Sequence, residues 1–201
     1  RKLFMQFCQE RIETGRMYVM NMDHVNEHSS FLDSVNMSNL CQEITLPTAP
    51  IEHIDDQETG EIALCVLSAI NVGTINKLDQ LEKVCENIVT ALDYIIEHQL
   101  YPVSAALNMK KRRSIANFAY YLAKNGVSYD DKEALKVTDE LAEAIQYYLL
   151  KASNNLAKEK GKCEWFDRTK YSKGILPIDT YCKEVDNIVK RKYTSGWEKL
   201  R

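Results

Sequence analysis

An amide, a thiol and a carboxylate occupy alternate positions of the short stretch Asn39-Leu40-Cys41-Gln42-Glu43. In an extended segment side chains repeat every second residue, so Asn39, Cys41 and Glu43 are expected on one face and Leu40 and Gln42 on the other. A helix would spread them around its cylinder, because only positions three or four apart are neighbours there. A thiol is the one ordinary side chain that can carry a hydrogen-abstracting radical and be restored by taking the hydrogen back, and as thiolate it is also a nucleophile. A carboxylate within hydrogen-bond reach is a natural general base, and an amide positions a substrate without titrating. The same stretch also fits the commoner use of a lone cysteine, a small buried hydrophobe.

The surrounding chain must hold this stretch in place. Residues 2–13 read as a helix stopped by Gly15, residues 17–22 as a short β-prone strand, and residues 24–35 as a polar loop. Two prolines and four acidic residues between positions 47 and 60 predict a surface excursion. Residues 61–72 have the length and apolar content of a strand buried on both faces. Beyond them Leu78, Leu81, Val84, Cys85, Ile88, Val89, Leu92, Ile95 and Ile96 recur at three- and four-residue steps, the stripe of an amphipathic helix. Thr138 is placed to cap a second helix, with Leu141, Ile145, Tyr148, Leu149, Ala152 and Leu156 on its apolar face and Gly161 at its end. Residues 178–189 read as a third.

With 201 residues, 45% of them hydrophobic, the chain can bury one substantial core. A net charge of -3 and a pI near 5.9 give no electrostatic reason to expect direct binding to nucleic acid or to an anionic membrane. No apolar run is long enough to cross a bilayer, and no signal-peptide pattern opens the chain. The cysteines, at positions 8, 41, 65, 85, 163 and 182, have no CxxC spacing, and the four histidines make no zinc pattern. No metal site is expected, and the thiols read as reduced, in a cytoplasmic setting. The Lys110-Lys111-Arg112-Arg113 cluster reads as a solvated helix flank in a chain of net negative charge. Arg1 runs straight into the first helix without a cap, as expected of a chain cut from something longer.

Several words in order carry a resemblance. Ser38-Asn39-Leu40-Cys41-Gln42-Glu43-Ile44, Leu46-Pro47-Thr48, Gly60-Glu61-Ile62-Ala63-Leu64-Cys65 and Leu67-Ser68-Ala69 follow Gln9-Glu10-Arg11, Thr14-Gly15-Arg16 and the stretch from Tyr18 to His24. Asn117-Phe118-Ala119-Tyr120-Tyr121-Leu122-Ala123, Gln146-Tyr147-Tyr148-Leu149-Leu150-Lys151-Ala152-Ser153 and Gly174-Ile175-Leu176-Pro177-Ile178-Asp179-Thr180-Tyr181 come after. Together they closely resemble the large catalytic subunit of class I ribonucleotide reductase, as an internal fragment of it.

The resemblance implies a helix-rich α/β fold that is part of a ten-stranded α/β barrel, with residues 36–48 as its finger loop, residues 77–201 as a helical region, and residues 1–201 as a single partial barrel domain. It implies that Cys41 becomes a thiyl radical and removes the 3' hydrogen of a ribonucleoside diphosphate, that Glu43 takes the proton of the 3' hydroxyl, and that Asn39, with Ser38, binds the ribose. Cys65 matches one of two cysteines that reduce the 2' carbon and end as a disulfide; by periodicity alone it is a core cysteine in a strand. No cofactor is expected on this chain, since the radical would come from a metal-containing small subunit. The implied partners are that small subunit, the remaining segments of the large subunit, and thioredoxin or glutaredoxin. The partner of Cys65, the specificity site and the first half of the barrel fall in family regions this chain does not match.

One departure lies at Arg112-Arg113-Ser114-Ile115-Ala116-Asn117, where the family has a longer glycine-containing stretch; about four residues are missing, enough to remove most of a strand. That favours a second reading, a non-enzymatic reductase-derived binding or scaffold module. A stand-alone thiol redox protein using Cys41 and Cys65 is a third, without the CxxC such proteins use.

Overall fold

The computed structural model describes residues 1–53, 60–64, 66–101, 103–107, 114–116, 118–181 and 196–200. Helix α1 (Lys2–Thr14) ends at Gly15, whose φ of 65° is the left-handed conformation that a helix stop requires. None of its residues is buried, and Leu3, Phe4, Met5 and Ile12 are exposed. Helix α2 (Met22–His28) follows, then an irregular stretch that contains Cys41 and reaches strand β1 (Ala69–Asn71). A 3₁₀ turn (Val72–Thr74) leads to α3 (Gln80–His98) and α4 (Ser104–Leu107). Strand β2 (Ser114–Ala116) returns parallel to β1, with Ala69 opposite Ser114, Ile70 opposite Ile115 and Asn71 opposite Ala116. Parallel pairing demands a crossover, which α3 and α4 supply. Helices α5 (Phe118–Lys124), α6 (Lys132–Lys160) and α7 (Pro177–Tyr181) complete the chain, with 3₁₀ turns at Phe166–Arg168, Lys170–Lys173 and Trp197–Leu200.

The body of the molecule is the seam between α3 and α6. From α3, Leu81 and Cys85 are fully buried, and they join Leu141 and Ile145 of α6, Ile70 of β1, Val72, Ile75 and Tyr121 in one apolar cluster. On the solvent side Lys151 reaches Glu82 at 2.5 Å, and Lys160 reaches both Asp93 and Glu97 at 2.9 Å. Such exposed pairs are screened by solvent and contribute little, whereas burying one leucine contributes about 1.5–3 kcal/mol, so the apolar seam decides the geometry. A second cluster joins Leu176, Ile178 and Trp197 to Tyr147 and Leu150 of α6 and to Tyr171. Within it the Trp197 indole N–H donates to the buried Glu143 carboxylate at 2.9 Å.

Several sequence expectations need correction. Residues 17–21 are not a strand: no described segment offers their backbone a ladder partner, and the Met17 carbonyl is taken by the Arg11 guanidinium. Residues 24–28 are helical, because Asn26 anchors α2 by donating to the Met22 carbonyl at 3.0 Å. The strand expected over residues 61–72 is only Ala69–Asn71, because its parallel partner is equally short. Helix α6 starts well before Thr138, at Lys132 after the extended N-cap residue Asp131, since Lys132, Glu133, Ala134, Leu135 and Lys136 are all strong helix formers. Ile95, placed on the buried stripe of α3, is 44% exposed, while Leu81, Cys85, Val89, Leu92 and Ile96 keep the four- and three-residue rhythm. The described residues hold one parallel pair of strands, Ala69–Asn71 with Ser114–Ala116. Cys65, Cys182, the Lys110 to Arg113 cluster and most of the helix expected over residues 178–189 lie outside the described residues.

Leu81→Ala is expected to destabilise the protein by about 3 kcal/mol, through lost burial plus a cavity in the α3–α6 seam, as measured by urea unfolding followed by circular dichroism. A change below about 1 kcal/mol would place the core elsewhere.

Candidate active site

The stretch from Asn39 to Glu43 is a turn, not an extended strand. The Gln42 N–H donates to the Asn39 carbonyl at 3.1 Å, and Gln42 itself has a φ of 61°. A non-glycine residue held in that left-handed region costs roughly 1 kcal/mol, so the loop must be over-determined by other contacts. Asn39 supplies them. Its side-chain oxygen accepts the Ile44 N–H at 3.0 Å, and its side-chain N–H donates to the Glu43 carboxylate at 2.5 Å. The Ser38 hydroxyl donates to the Ile44 carbonyl at 2.8 Å, closing the base of the loop from the other side. Asn39 and Glu43 therefore do meet, but by the reversal of a turn and not by two-residue alternation. Cys41 sits in that turn as an exposed free thiol, beside a 76% exposed Leu40. It is not the buried hydrophobe that a lone cysteine most often is.

Both stems of the loop are held. On the entering side Val35 is fully buried and exchanges two hydrogen bonds with the Asn26 side chain, its N–H donating at 2.7 Å and its carbonyl accepting at 3.0 Å. On the leaving side Leu46 and Pro47 are buried, and the backbone N–H of Glu61 donates to the Ala49 carbonyl at 3.0 Å. The segment after α6 forms the bed beneath: the Lys170 N–H donates to the Ser30 carbonyl at 2.8 Å, and the Ser30 and Tyr171 hydroxyls share a hydrogen bond at 3.0 Å. Burial pushes the Tyr171 phenol pKa up, with the Ser30 bond partly opposing. Arg168 lies over the Trp165 ring, with its guanidinium carbon 3.8 Å from the ring centroid, and bonds Asp33 and Glu61. Burial works against its charge, but the hydrogen bonds to Glu61 and Asp33 outweigh it and leave its pKa raised.

Ser38, Asn39, Cys41 and Glu43 are thus brought together in one loop, while Cys65 lies outside the described residues. Sequence reasoning missed Arg168, Asp33 and Glu61, because their pairings join positions 135 and 107 residues apart and charged residues at such separations carry no local signal. Nothing in the sequence marks Gln42 as left-handed either, since neither glycine nor asparagine stands there. No group of three or more His, Cys, Asp or Glu side chains is arranged to hold a metal ion among the described residues.

The model of the ribonucleotide reductase barrel domain matches residues 1–201. The chain belongs to the ribonucleotide reductase family. Among curated relatives, it is 52% identical to the ribonucleoside-diphosphate reductase subunit alpha of Haemophilus influenzae, over all of this chain and 27% of that protein. It is equally 52% identical to ribonucleoside-diphosphate reductase 1 subunit alpha of Escherichia coli, with the same coverage. The chain spans about a quarter of the length of these relatives. Both alignments run over 208 positions against 201 residues here, so this member is shorter in the matched region. Among solved structures, the class Id ribonucleotide reductase alpha subunit of Actinobacillus ureae shares the fold, with a TM-score of 0.67 and 24% identity over 83% of this chain and 33% of that one.

In this loop, Asn39→Ala is expected to speed hydrogen exchange at the Ile44 amide at least about five-fold, since one net hydrogen bond contributes about 1 kcal/mol. Exchange mass spectrometry across residues 36–48 is the measurement; an unchanged Ile44 rate would mean that Asn39 does not hold the turn.

Proposed function

We propose that this chain is a segment of the catalytic subunit of ribonucleoside-diphosphate reductase and carries its hydrogen-abstracting cysteine. The observation that supports this best is the loop itself: an exposed Cys41 thiol in a turn whose ends are an amide and a carboxylate bonded at 2.5 Å. In the proposed reaction a Cys41 thiyl radical takes the hydrogen atom from the 3' carbon, forming the S–H bond and leaving a carbon radical. Glu43 accepts the proton of the 3' hydroxyl while the 2' hydroxyl takes a proton from one of a pair of thiols and leaves as water. The two thiols, one of them Cys65, give up two electrons and their second proton to replace the hydroxyl at the 2' carbon and end as a disulfide, and Glu43 returns its proton to the 3' oxygen. The Cys41 S–H then returns its hydrogen to the 3' carbon.

Asn39 and Ser38 position the ribose in this reading. The Asn39 N–H bonded to Glu43 would turn to a sugar oxygen when substrate arrives, freeing the carboxylate for the 3' hydroxyl. The radical is supplied by a metal-containing small subunit and the disulfide is reduced by thioredoxin or glutaredoxin, with the rest of the large subunit completing the barrel. No helix among the described residues is long and apolar enough to cross a membrane, and cytoplasmic action on a ribonucleoside diphosphate is the proposed setting.

A second reading, a reductase-derived binding or scaffold module without catalysis, draws support from the shortened stretch from Arg112 to Asn117 in the sequence. Variants placed in the full-length subunit separate the two. Cys41→Ser is expected to abolish deoxyribonucleotide formation, and Glu43→Gln to lower kcat by about 10²–10⁴-fold, the usual contribution of a general base. Wild-type turnover by both variants would refute the catalytic reading and favour the scaffold.

A further inference from the structure

We propose that Arg168 is a positioning residue for the Cys41 loop, fastening both of its stems with one guanidinium. The proposal rests on the reading of Cys41 as the hydrogen-abstracting group. Arg168 Nε donates to Asp33 Oδ2 at 2.5 Å, and Nη1 donates to Glu61 Oε1 at 2.9 Å. Asp33 marks the point where the chain enters the loop. Glu61 carries the hold to the point where it leaves: its other carboxylate oxygen accepts the Ala49 N–H at 3.0 Å, while its own N–H donates to the Ala49 carbonyl at 3.0 Å. Residues 34–48, with Ser38, Asn39, Cys41 and Glu43 among them, are spanned between these two anchors.

The arginine is itself fixed from two further directions. Trp165 stacks on its guanidinium, and the Arg168 backbone carbonyl accepts the Leu32 N–H at 2.9 Å, so backbone and side chain of Arg168 bind the same entering stem. The planar fork matters because it presents donors to two carboxylates at once, which a lysine ammonium on a flexible stem does less rigidly. The Arg168 and Asp33 side chains are each 41% exposed, so the ion pairs themselves contribute little to stability. Their effect is geometric. Holding both ends of a flexible segment removes end-to-end freedom, and a displacement of about 1 Å at a reacting atom can slow an enzyme by about a hundred-fold.

The test places Arg168→Leu, Arg168→Lys, Asp33→Asn and Glu61→Gln in the full-length subunit, assays each with its radical-generating partner, and includes Cys41→Ser as reference. Arg168→Leu should lower kcat at least ten-fold with KM within two-fold, and should speed exchange selectively over residues 34–48 while the α3–α6 helices keep their protection. Arg168→Lys should recover part of kcat. Asp33→Asn and Glu61→Gln should each lower kcat about three-fold, with no further loss when combined with Arg168→Leu. Wild-type kcat and wild-type loop exchange in Arg168→Lys, Asp33→Asn and Glu61→Gln would overturn the proposal, whether or not Arg168→Leu folds. An inactive Cys41→Ser beside fully active Arg168 variants would sink the positioning role alone, whereas an active Cys41→Ser would sink the reading beneath it.

Discussion

A thiol in an exposed turn keeps one position only if the chain on either side of it is immobilised, because an unanchored segment of that length samples many end-to-end arrangements. The Asn39 side chain meets that constraint locally, bonding both the Ile44 backbone and the Glu43 carboxylate and so compensating for a glutamine held at a left-handed φ of 61°. The stems meet it regionally, through the buried Val35, Leu46 and Pro47. The rest of the molecule meets it globally. Ser30 bonds Tyr171, Tyr171 packs against the cluster of Leu176, Ile178 and Trp197, Tyr147 and Leu150 of α6 pack against the same cluster, and α6 is locked to α3 by the apolar seam around Leu81 and Leu141. The segment that enters the loop and the helical core are linked by that chain of contacts.

Among the described residues, three residues of β1 pair in parallel with three of β2, and Ile70 of β1 packs into the α3–α6 cluster, so sheet and helical core are joined at that residue.

Legibility from sequence followed the range of the interaction. The α3 stripe was readable because burial alone sets it: Leu81, Cys85, Val89, Leu92 and Ile96 return to one face at helical spacing, and Ile95 failed only because apolar residues are not obliged to be buried. Gly15 and Gly161 were readable as helix ends because their backbone conformation is a local need. Residues 17–22 misled because β propensity has force only when a partner strand is at hand. At the site, residue types pointed to the right neighbours for a wrong reason. Asn39 and Glu43 meet because the chain reverses, and the reversal depends on hydrogen bonds that no alternation rule encodes. Arg168, Asp33 and Glu61 were invisible, since nothing short of the fold brings them together.

If, as proposed, the Cys41 sulfur takes a hydrogen atom from the ribose and gives it back, deuterium at the 3' carbon of a ribonucleoside diphosphate must pass through that sulfur. The full-length subunit with its radical source is then expected to turn over the labelled substrate more slowly and to release a product that keeps its deuterium at the 3' carbon. Turnover indifferent to the isotope, with the label wholly lost to water, would refute hydrogen transfer by Cys41.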